Sequence, residues 1–189
     1  MNEVVGAGLG DVVWVNEPTR WRRQGGDLSL TADAGTDFWR HTHYGFVRDS
    51  GHAALTRVAG EFVATVEVQA DYRDQYDQAG LMVRLDRERW VKCGIEFVDG
   101  AHQLSTVVTH SVSDWSCTPV PQLPDWLGIR LTRSGDALTV DFSLTPGHWQ
   151  MQRLAYLPPD LPAWVGPMAA APDGTGFDVR FRGFEVQPL

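Results

Sequence analysis

Carboxylates are the side chains of this sequence with the most direct route to chemistry. Glu96 and Glu67 each lie in a segment that alternates apolar and polar residues, and Asp77 directly precedes a third such segment. Glycoside hydrolysis uses two carboxyl groups, about 5–5.5 Å apart for retention or about 6.5–9.5 Å for inversion. Alternation places Glu67 and Glu96 on the same face, so Glu96 with Glu67 or Asp77 is a candidate catalytic pair.

The same carboxylates also have a structural interpretation. Glu67 suits a solvated strand position, and Glu96 can pair with Lys92 or Arg84. Sandwich faces carry many carboxylates that do no chemistry. The sequence has no phosphate-cradling glycine loop, no dinucleotide fingerprint and no nucleophile elbow. Catalysis therefore stays open and no other enzyme class is indicated.

Tryptophan is abundant, with eight in the chain. Four of them stand beside polar groups: Trp39, Trp90, Trp115 and Trp149. A flat ring can stack on the apolar face of a sugar while nearby amides and carboxylates bind the hydroxyls. Asp37 and Asp114 place a carboxylate close to Trp39 and Trp115, which favours these two as platforms. The alternative is that the indoles cap a core.

Metal-binding signals are weak. His41 and His43 have strand spacing that aims both rings to one side, but no third ligand can be assigned, so we expect no metal and no cofactor. Calcium through Asp37, Asp77 or Asp114 stays open, although no Asp-rich loop of recognised spacing occurs.

The elements that must position these residues are short strands. Twelve alternating segments are bounded by turn residues: Val12–Val15, Leu28–Thr31, Ala53–Val58, Phe62–Ala70, Ala79–Leu85, Trp90–Phe97, Gln103–Thr109, Leu127–Thr132, Leu138–Leu144, Met151–Ala155, Val165–Ala169 and Phe177–Val186. Few windows show a helical period. We therefore predict an all-β antiparallel sandwich that forms a single domain over residues 1–189.

Strand parity gathers a polar face from three consecutive strands. Its members are Gln78, Lys92, Glu96, Gln103 and Ser105. Matching the apolar faces predicts a three-residue loop, 87–89, with Val83 opposite Cys93 and Gly80 opposite Glu96. A two-residue turn at Asp99-Gly100 sets Gln103 opposite Glu96 and Ser105 opposite Gly94. Gly80 and Gly94 would then leave a shallow depression beside Glu96.

Charge and hydropathy limit the partners. The net charge is −8 and no run of Lys or Arg occurs, which argues against nucleic acid and against an acidic membrane surface. No apolar run approaches the roughly 20 residues of a membrane span, and the first residues lack the pattern of a signal peptide. Two cysteines make no disulfide framework, so we expect reduced thiols and a cytoplasmic location.

Several segments together carry a resemblance. They are Trp14–Pro18, Thr36–Arg40, Tyr76–Arg84, Trp90–Glu96, Val107–Thr109 and Ser113–Ser116. In order and spacing the chain resembles a concanavalin A-like family of unknown function named after a yeast regulator of enolase. More distantly, the AGLMVR and KCGIE strands resemble the sandwich module of some β-xylosidases. The resemblance implies a two-sheet jelly roll of the lectin and glucanase type.

The leading functional hypothesis is a non-catalytic domain that binds a carbohydrate or polyol on a polar, Trp-flanked face. The candidate ligand-binding residues are Asp37, Trp39, Asp77, Gln78, Arg84, Trp90, Lys92, Glu96, Gln103, Ser105, Ser113, Asp114 and Trp115. Two alternatives remain open at this point. One is a glycoside hydrolase that uses Glu96 with Glu67 or Asp77, and the other is a regulatory module that binds a metabolic enzyme as its protein partner.

Overall fold

The computed structural model describes residues 9–10 and 12–189, which form sixteen strands and no helix. In chain order the strands are β1 (Val13–Val15), β2 (Trp21–Gln24), β3 (Asp27–Ala32), β4 (Phe38–Arg40), β5 (Val47–Asp49), β6 (His52–Val58), β7 (Phe62–Ala70), β8 (Gln78–Arg84), β9 (Arg89–Val98), β10 (Ala101–His110), β11 (Val112–Pro119), β12 (Leu127–Ser134), β13 (Ala137–Thr145), β14 (His148–Tyr156), β15 (Ala163–Ala170) and β16 (Phe177–Pro188). Within the described residues there is accordingly no helix that could span a membrane.

Two seven-stranded antiparallel sheets make up the sandwich. The first sheet has the order β1-β6-β15-β8-β9-β10-β11, and the second has the order β14-β13-β12-β7-β16-β3-β2. Alternate residues of each strand face the space between the sheets, where Phe62, Leu81, Ile95 and Phe181 are almost fully buried. The prediction of an all-β antiparallel sandwich is confirmed, because period-two alternation is the pattern of a strand with one buried face.

All twelve predicted strands are present, and the structure has four further strands that were not predicted. β2 is exposed along its whole length, so its residues do not alternate. β4 and β5 have three residues each. β11, which carries Asp114 and Trp115, is a polar strand at the edge of the first sheet. Alternation reports burial on one face, and edge or very short strands lack it.

One hairpin register was predicted correctly and the other was wrong. Asp99 and Gly100 both have positive φ in a two-residue turn, which sets Gln103 opposite Glu96. Between β8 and β9, however, Val83 lies opposite Val91, and Glu96 lies opposite Gln78 rather than Gly80. The register differs by two residues because the turn is centred on Arg87, one residue earlier than predicted. The backbone N–H of Leu85 donates to the carbonyl oxygen of Arg89, and the Asp86 carboxylate accepts the N–H groups of Glu88 and Arg89.

The predicted depression beside Glu96 is correspondingly small. Gly80 and Gly94 lie directly opposite each other, and a Cβ on Gly94 would stand 2.0 Å from the carbonyl oxygen of Ala79. The two backbones approach closely and fill the space themselves. The cavity that remains beside Gly94 and Glu96 is about 10 Å³, room for one water at most.

The outer face of the first sheet is partly covered by the β4–β5 hairpin. Phe38 and Trp39 of β4 pack on Met82 and Trp90 of the sheet, which gives the protein a second apolar cluster outside the sandwich core. Phe38 is fully buried there. The predicted polar face is therefore covered at this end by the hairpin.

Glu67 corrects another expectation. Parity places Glu67 on an outward face, as predicted, but β7 belongs to the second sheet whereas Glu96 on β9 belongs to the first. The expectation that the two carboxylates share one face is therefore wrong, and Glu67 instead accepts a hydrogen bond from the guanidinium of Arg182 at 2.7 Å. Alternation determines which way a side chain points relative to its own strand and leaves the choice of sheet open.

Candidate ligand-binding pocket

A pocket of about 260 Å³ lies between the β4–β5 hairpin and the outer face of the first sheet. Its walls come from the loop before β4, the hairpin, β8, β9, β11 and the segment after β15. The lining residues are Asp37, Trp39, Tyr44, Phe46, Tyr76, Gln78, Lys92, Glu96, Trp115, Pro172 and Asp173. Five of these side chains are aromatic, and five others are charged or carry an amide.

Glu96 is the buried carboxylate at the base of the pocket. Its Oε2 accepts a hydrogen bond from the hydroxyl of Ser105 at 2.7 Å, and that hydroxyl in turn accepts the indole N–H of Trp115 at 2.9 Å. Burial raises the pKa of the Glu96 carboxyl, while the Lys92 ammonium and the Ser105 hydroxyl oppose that shift. The chain from Trp115 to Glu96 fixes both the carboxylate and the plane of the indole.

Lys92 connects two further polar side chains of the pocket, Gln78 and Asp37. Its ammonium donates a hydrogen bond to the side-chain oxygen of Gln78 and lies 3.6 Å from Asp37 Oδ1. The Gln78 amide donates to the carbonyl oxygen of Tyr76 at 3.1 Å. All three polar side chains are mostly buried, which strengthens their mutual attraction and holds them in one arrangement.

Asp37 is itself fixed by the loop that carries it. Its Oδ1 accepts the backbone N–H of Phe38 at 2.7 Å, and its backbone N–H donates to the Ser50 hydroxyl at 3.1 Å. The carbonyl oxygen of Asp37 accepts the N–H groups of Ser50 and Gly51. The carboxylate therefore reaches the pocket from a rigid start of β4, not from a free loop.

Aromatic side chains form the opposite wall. Tyr44 and Phe46 stack with ring centroids 5.3 Å apart, and the edge of Tyr44 meets Trp39 at 5.6 Å. The hydroxyls of Tyr44 and Tyr76 lie 3.2 Å apart. This hydrogen bond, followed by burial, raises the pKa of the Tyr44 phenol to about 12, so the phenol stays protonated at neutral pH.

Tyr76 occupies an unusual backbone conformation. Its φ of 66° lies in the left-handed region, which costs a bulky residue about 1–3 kcal/mol. The conformation is held by the backbone hydrogen bond from Tyr76 N to Phe97 O at 2.7 Å. Strain of this kind at a pocket wall is a frequent mark of a functional site.

Six of the predicted ligand-binding residues line the pocket together: Asp37, Trp39, Gln78, Lys92, Glu96 and Trp115. Ser105 lies directly behind Glu96 as its hydrogen-bond partner. The parity argument and the resemblance thus point to residues that one cavity brings together. Their role in binding stays a prediction.

Three other candidates are placed in structural positions. Asp77 is fully buried, and its carboxylate accepts the backbone N–H groups of Arg73 and Asp74 in the turn before β8. Arg84 makes two hydrogen bonds to the carboxylate of Asp49, at 2.7 and 2.9 Å. Trp90 lies under the hairpin with a centroid 6.1 Å from that of Phe38.

The last three candidates do not line the pocket. Gln103 lies opposite Glu96, and its buried side-chain oxygen has no hydrogen-bond partner among the described residues. The hydroxyl of Ser113 accepts the backbone N–H of Arg40 at 3.0 Å, which ties β4 to β11. Asp114 points to the other face of β11 and pairs with Arg153 at 3.3 Å.

Neither of the carboxylates proposed as the hydrolytic partner of Glu96 lines the pocket. Glu67 is in the other sheet, and Asp77 is turned into its own backbone turn. Asp37 and Asp173 are instead the carboxylates that share the cavity with Glu96, and Lys92 interacts with Asp37 and Glu96. Over residues 9–10 and 12–189, no three His, Cys, Asp or Glu side chains converge as metal ligands.

Sequence reasoning missed five lining residues: Tyr44, Phe46, Tyr76, Pro172 and Asp173. Tyr76 begins the polar strand segment, but its positive φ has no sequence signal in a tyrosine. Tyr44 and Phe46 lie in the hairpin loop that the sequence did not predict. Pro172 and Asp173 reach the pocket from the connection between β15 and β16, a long-range approach that local patterns cannot show.

Comparison with known protein families identifies the family of this chain. Residues 14–189 match the family described as "Protein of unknown function (DUF1349)". The chain belongs to this family. A relative from Saccharomyces cerevisiae, named Regulation of enolase protein 1, is 39% identical over 178 residues, which cover 94% of this chain and 90% of the relative. The predicted resemblance is therefore confirmed.

Solved structures confirm the fold of this DUF1349 member. A functionally unknown protein from Saccharomyces cerevisiae has a TM-score of 0.92 at 39% identity and covers 96% of this chain and 99% of its own. A xylan β-1,4-xylosidase from Bacillus halodurans matches at 14% identity with a TM-score of 0.63, over 87% of this chain and 33% of the enzyme. The carbohydrate-binding module CBM66 from Bacillus subtilis matches at 9% identity with a TM-score of 0.59, over 92% and 94%. The last two share the fold alone.

Proposed function

We propose that this protein binds a small neutral carbohydrate or polyol in the pocket under the β4–β5 hairpin and does not cleave it. One observation carries the proposal: a buried, hydrogen-bonded carboxylate, Glu96, lies at the base of a cavity whose walls are aromatic. Proteins of related fold include a carbohydrate-binding module, which adds the analogy of architecture and no more.

The size of the pocket favours one ring-sized ligand. Sites for drug-sized molecules span roughly 300–1,000 Å³, and this cavity is about 260 Å³. The hairpin closes the sheet face above Trp90, so an extended chain has no path along that face. A free monosaccharide or a short polyol fits this volume better than an oligosaccharide.

The chemistry of the walls suits hydroxyl groups. Glu96 and Asp37 accept hydrogen bonds, the Lys92 ammonium donates them, and the neutral phenol of Tyr44 does both. Trp39 and Trp115 supply flat apolar surface for the C–H face of a sugar ring. The polar groups are already held by one another, so binding does not require them to be ordered first.

A ligand screen tests the proposal directly. Monosaccharides and linear polyols are titrated against the protein by saturation-transfer NMR and calorimetry, with tryptophan fluorescence as a second readout for Trp115. We expect Glu96→Gln to weaken binding about fivefold, since a hydrogen bond to a charged group exceeds a neutral one by roughly 1 kcal/mol. Trp115→Ala should weaken binding by a similar factor, because it removes the flat surface on which the sugar ring stacks.

The matched control is Glu67→Gln, which makes the same substitution on the second sheet. This variant should bind the same sugars with unchanged affinity, because Glu67 pairs with Arg182 away from the pocket. The proposal fails if no member of the panel binds, or if Glu67→Gln and Glu96→Gln weaken binding equally.

A second candidate function is regulation of a metabolic enzyme through direct contact. Two observations favour it: the name of the yeast relative, and three exposed apolar side chains on the edge strand β14. Met151, Leu154 and Tyr156 are 65%, 60% and 56% exposed. The test mixes the protein with purified enolase in sedimentation velocity, where Leu154→Glu should abolish a complex. Absence of a complex for the unaltered protein rejects this candidate.

A further inference from the structure

A groove on the second sheet is larger than the proposed pocket. It has a volume of about 840 Å³ and crosses the outer faces of β2, β3 and β16. Three arginines line it, Arg20, Arg22 and Arg180, together with the aromatic side chain of Trp126 and the carboxylates of Asp27 and Asp178. The proposed function uses none of these residues.

Strand register brings two of the arginines to one level. Arg22 and Arg180 each lie opposite Ser29, on either side of β3. Residues opposite one another point to the same face, and adjacent strands are about 4.8 Å apart, so the two Cα atoms are roughly 10 Å apart. Two arginine side chains over this span can reach a single anionic group from both sides, and the small Ser29 leaves the floor between them free.

These arginines lack the partners that other charged groups of the protein have. Across residues 9–10 and 12–189, no carboxylate lies within 4.0 Å of the guanidinium of Arg20, Arg22 or Arg180. Of the two carboxylates in the groove, Asp178 accepts the hydroxyl of Thr31 at 2.6 Å. Unpaired guanidinium groups in one concavity are notable in a chain of net charge −8.

Trp126 gives the groove a flat wall that is braced from behind. The guanidinium carbon of Arg182 lies 4.1 Å from the centroid of the Trp126 ring, and Arg182 is in turn hydrogen-bonded to Glu67. The stacked pair fixes the indole at the end of the groove opposite β2. A ligand therefore meets cations along the sheet and an aromatic plane at one side.

We infer that this groove binds a small organic anion, a phosphate or carboxylate group carried on a ring. The anion lies between Arg22 and Arg180 above Ser29, where each planar guanidinium can donate two hydrogen bonds. The ring lies toward Trp126. The site is separate from the pocket under the hairpin, because the two open on the outer faces of opposite sheets.

Calorimetry with three matched sugars tests the inference: glucose 6-phosphate, glucuronate and neutral glucose. Both anions should bind at low salt, and their affinity should fall steeply as salt rises from about 0.01 M to about 1 M, where the Debye length shrinks from roughly 30 Å to roughly 3 Å. Whichever anion binds more tightly identifies the group, phosphate or carboxylate. Glucose should not compete for the groove.

Variants separate the groove from charge in general. Arg22→Ala and Arg180→Ala should each weaken anion binding about tenfold, the usual loss for a charge-assisted hydrogen bond. Trp126→Ala should weaken binding of the sugar anions and leave binding of inorganic pyrophosphate unchanged, because pyrophosphate has no ring to stack on the indole. The control is Arg57→Ala, an exposed arginine on the first sheet. The inference is overturned if neither anion binds at low salt, or if Arg57→Ala weakens binding as much as Arg22→Ala.

Discussion

At the scale of single residues, Glu96 combines burial with hydrogen bonding. The Ser105 hydroxyl donates to it and the Lys92 ammonium lies nearby, yet desolvation raises the pKa of its carboxyl. A carboxyl whose pKa is raised on folding binds more protons in the folded protein than in the unfolded chain. The free energy of unfolding then decreases as pH rises from about 4.5, the ordinary value, toward the folded pKa.

Glu96→Gln isolates this effect, because glutamine keeps the shape and removes the charge. We expect the variant to gain stability relative to the unaltered protein as pH rises from below 4.5 to neutral. Urea unfolding of both proteins at a series of pH values measures the difference. Two parallel curves, or a variant that loses stability at neutral pH, would show that the ionised carboxylate is a favourable part of the fold.

Residue types were the part of the site that the sequence could predict. Glu96, Lys92 and Gln78 follow from parity alone, because outward polar residues on adjacent strands share a face. Tyr76 could not be found this way, since its contribution depends on a left-handed backbone. For Asp77 the prediction placed a structural residue in the site. Its carboxylate was predicted to bind ligand, but it accepts backbone N–H groups of the turn before β8.

At the scale of elements, the β4–β5 hairpin turns a sheet face into a pocket. Phe38 anchors the hairpin in full burial, whereas Tyr44 in the loop is 43% exposed and lines the cavity. Phe38→Ala should lower the free energy of unfolding by about 3–5 kcal/mol through the cavity it leaves. Tyr44→Ala should change stability little and weaken ligand binding. Thermal unfolding measures the stability of both variants, and ligand titration measures their affinity. An equal loss of stability in Phe38→Ala and Tyr44→Ala would contradict the separate roles of the two residues.

A second prediction at this scale concerns the paired glycines of β8 and β9. A methyl group on Gly94 would meet backbone atoms of Ala79, which cannot move aside as a side chain can. We expect Gly94→Ala to cost about 1–3 kcal/mol or more. Gly26→Ala is the control, because a Cβ there has open space and the backbone φ is not positive. Similar unfolding midpoints for the two variants would refute the close approach.

The β8–β9 register illustrates the limit of pattern reasoning at the same scale. Apolar alternation specifies which residues point inward, and a slip of two residues preserves that choice entirely. The turn decides between the registers, and here the Asp86 carboxylate stabilises a turn centred one residue earlier than predicted. Asp99-Gly100 was predictable because positive φ at both turn positions favours these two residue types.

At the scale of the whole molecule, two candidate sites open on opposite outer faces of one sandwich. The pocket under the hairpin belongs to the first sheet and the arginine groove to the second. A packed core that includes Phe62, Leu81 and Phe181 lies between them. Such a core is rigid, and neither site shares a residue with the other, so their binding energies should add.

Simultaneous titration tests this independence. We expect the affinity for glucose 6-phosphate to be the same with and without a saturating neutral sugar in the pocket, and Glu96→Gln to leave it unchanged. Raising the salt concentration should weaken binding of the anion and leave binding of the neutral sugar unchanged, because only the anion is held by charges that salt screens. If saturating one site shifts the affinity of the other by fivefold or more, about 1 kcal/mol of coupling, the sandwich transmits a signal between its faces and the two sites act as one regulated unit.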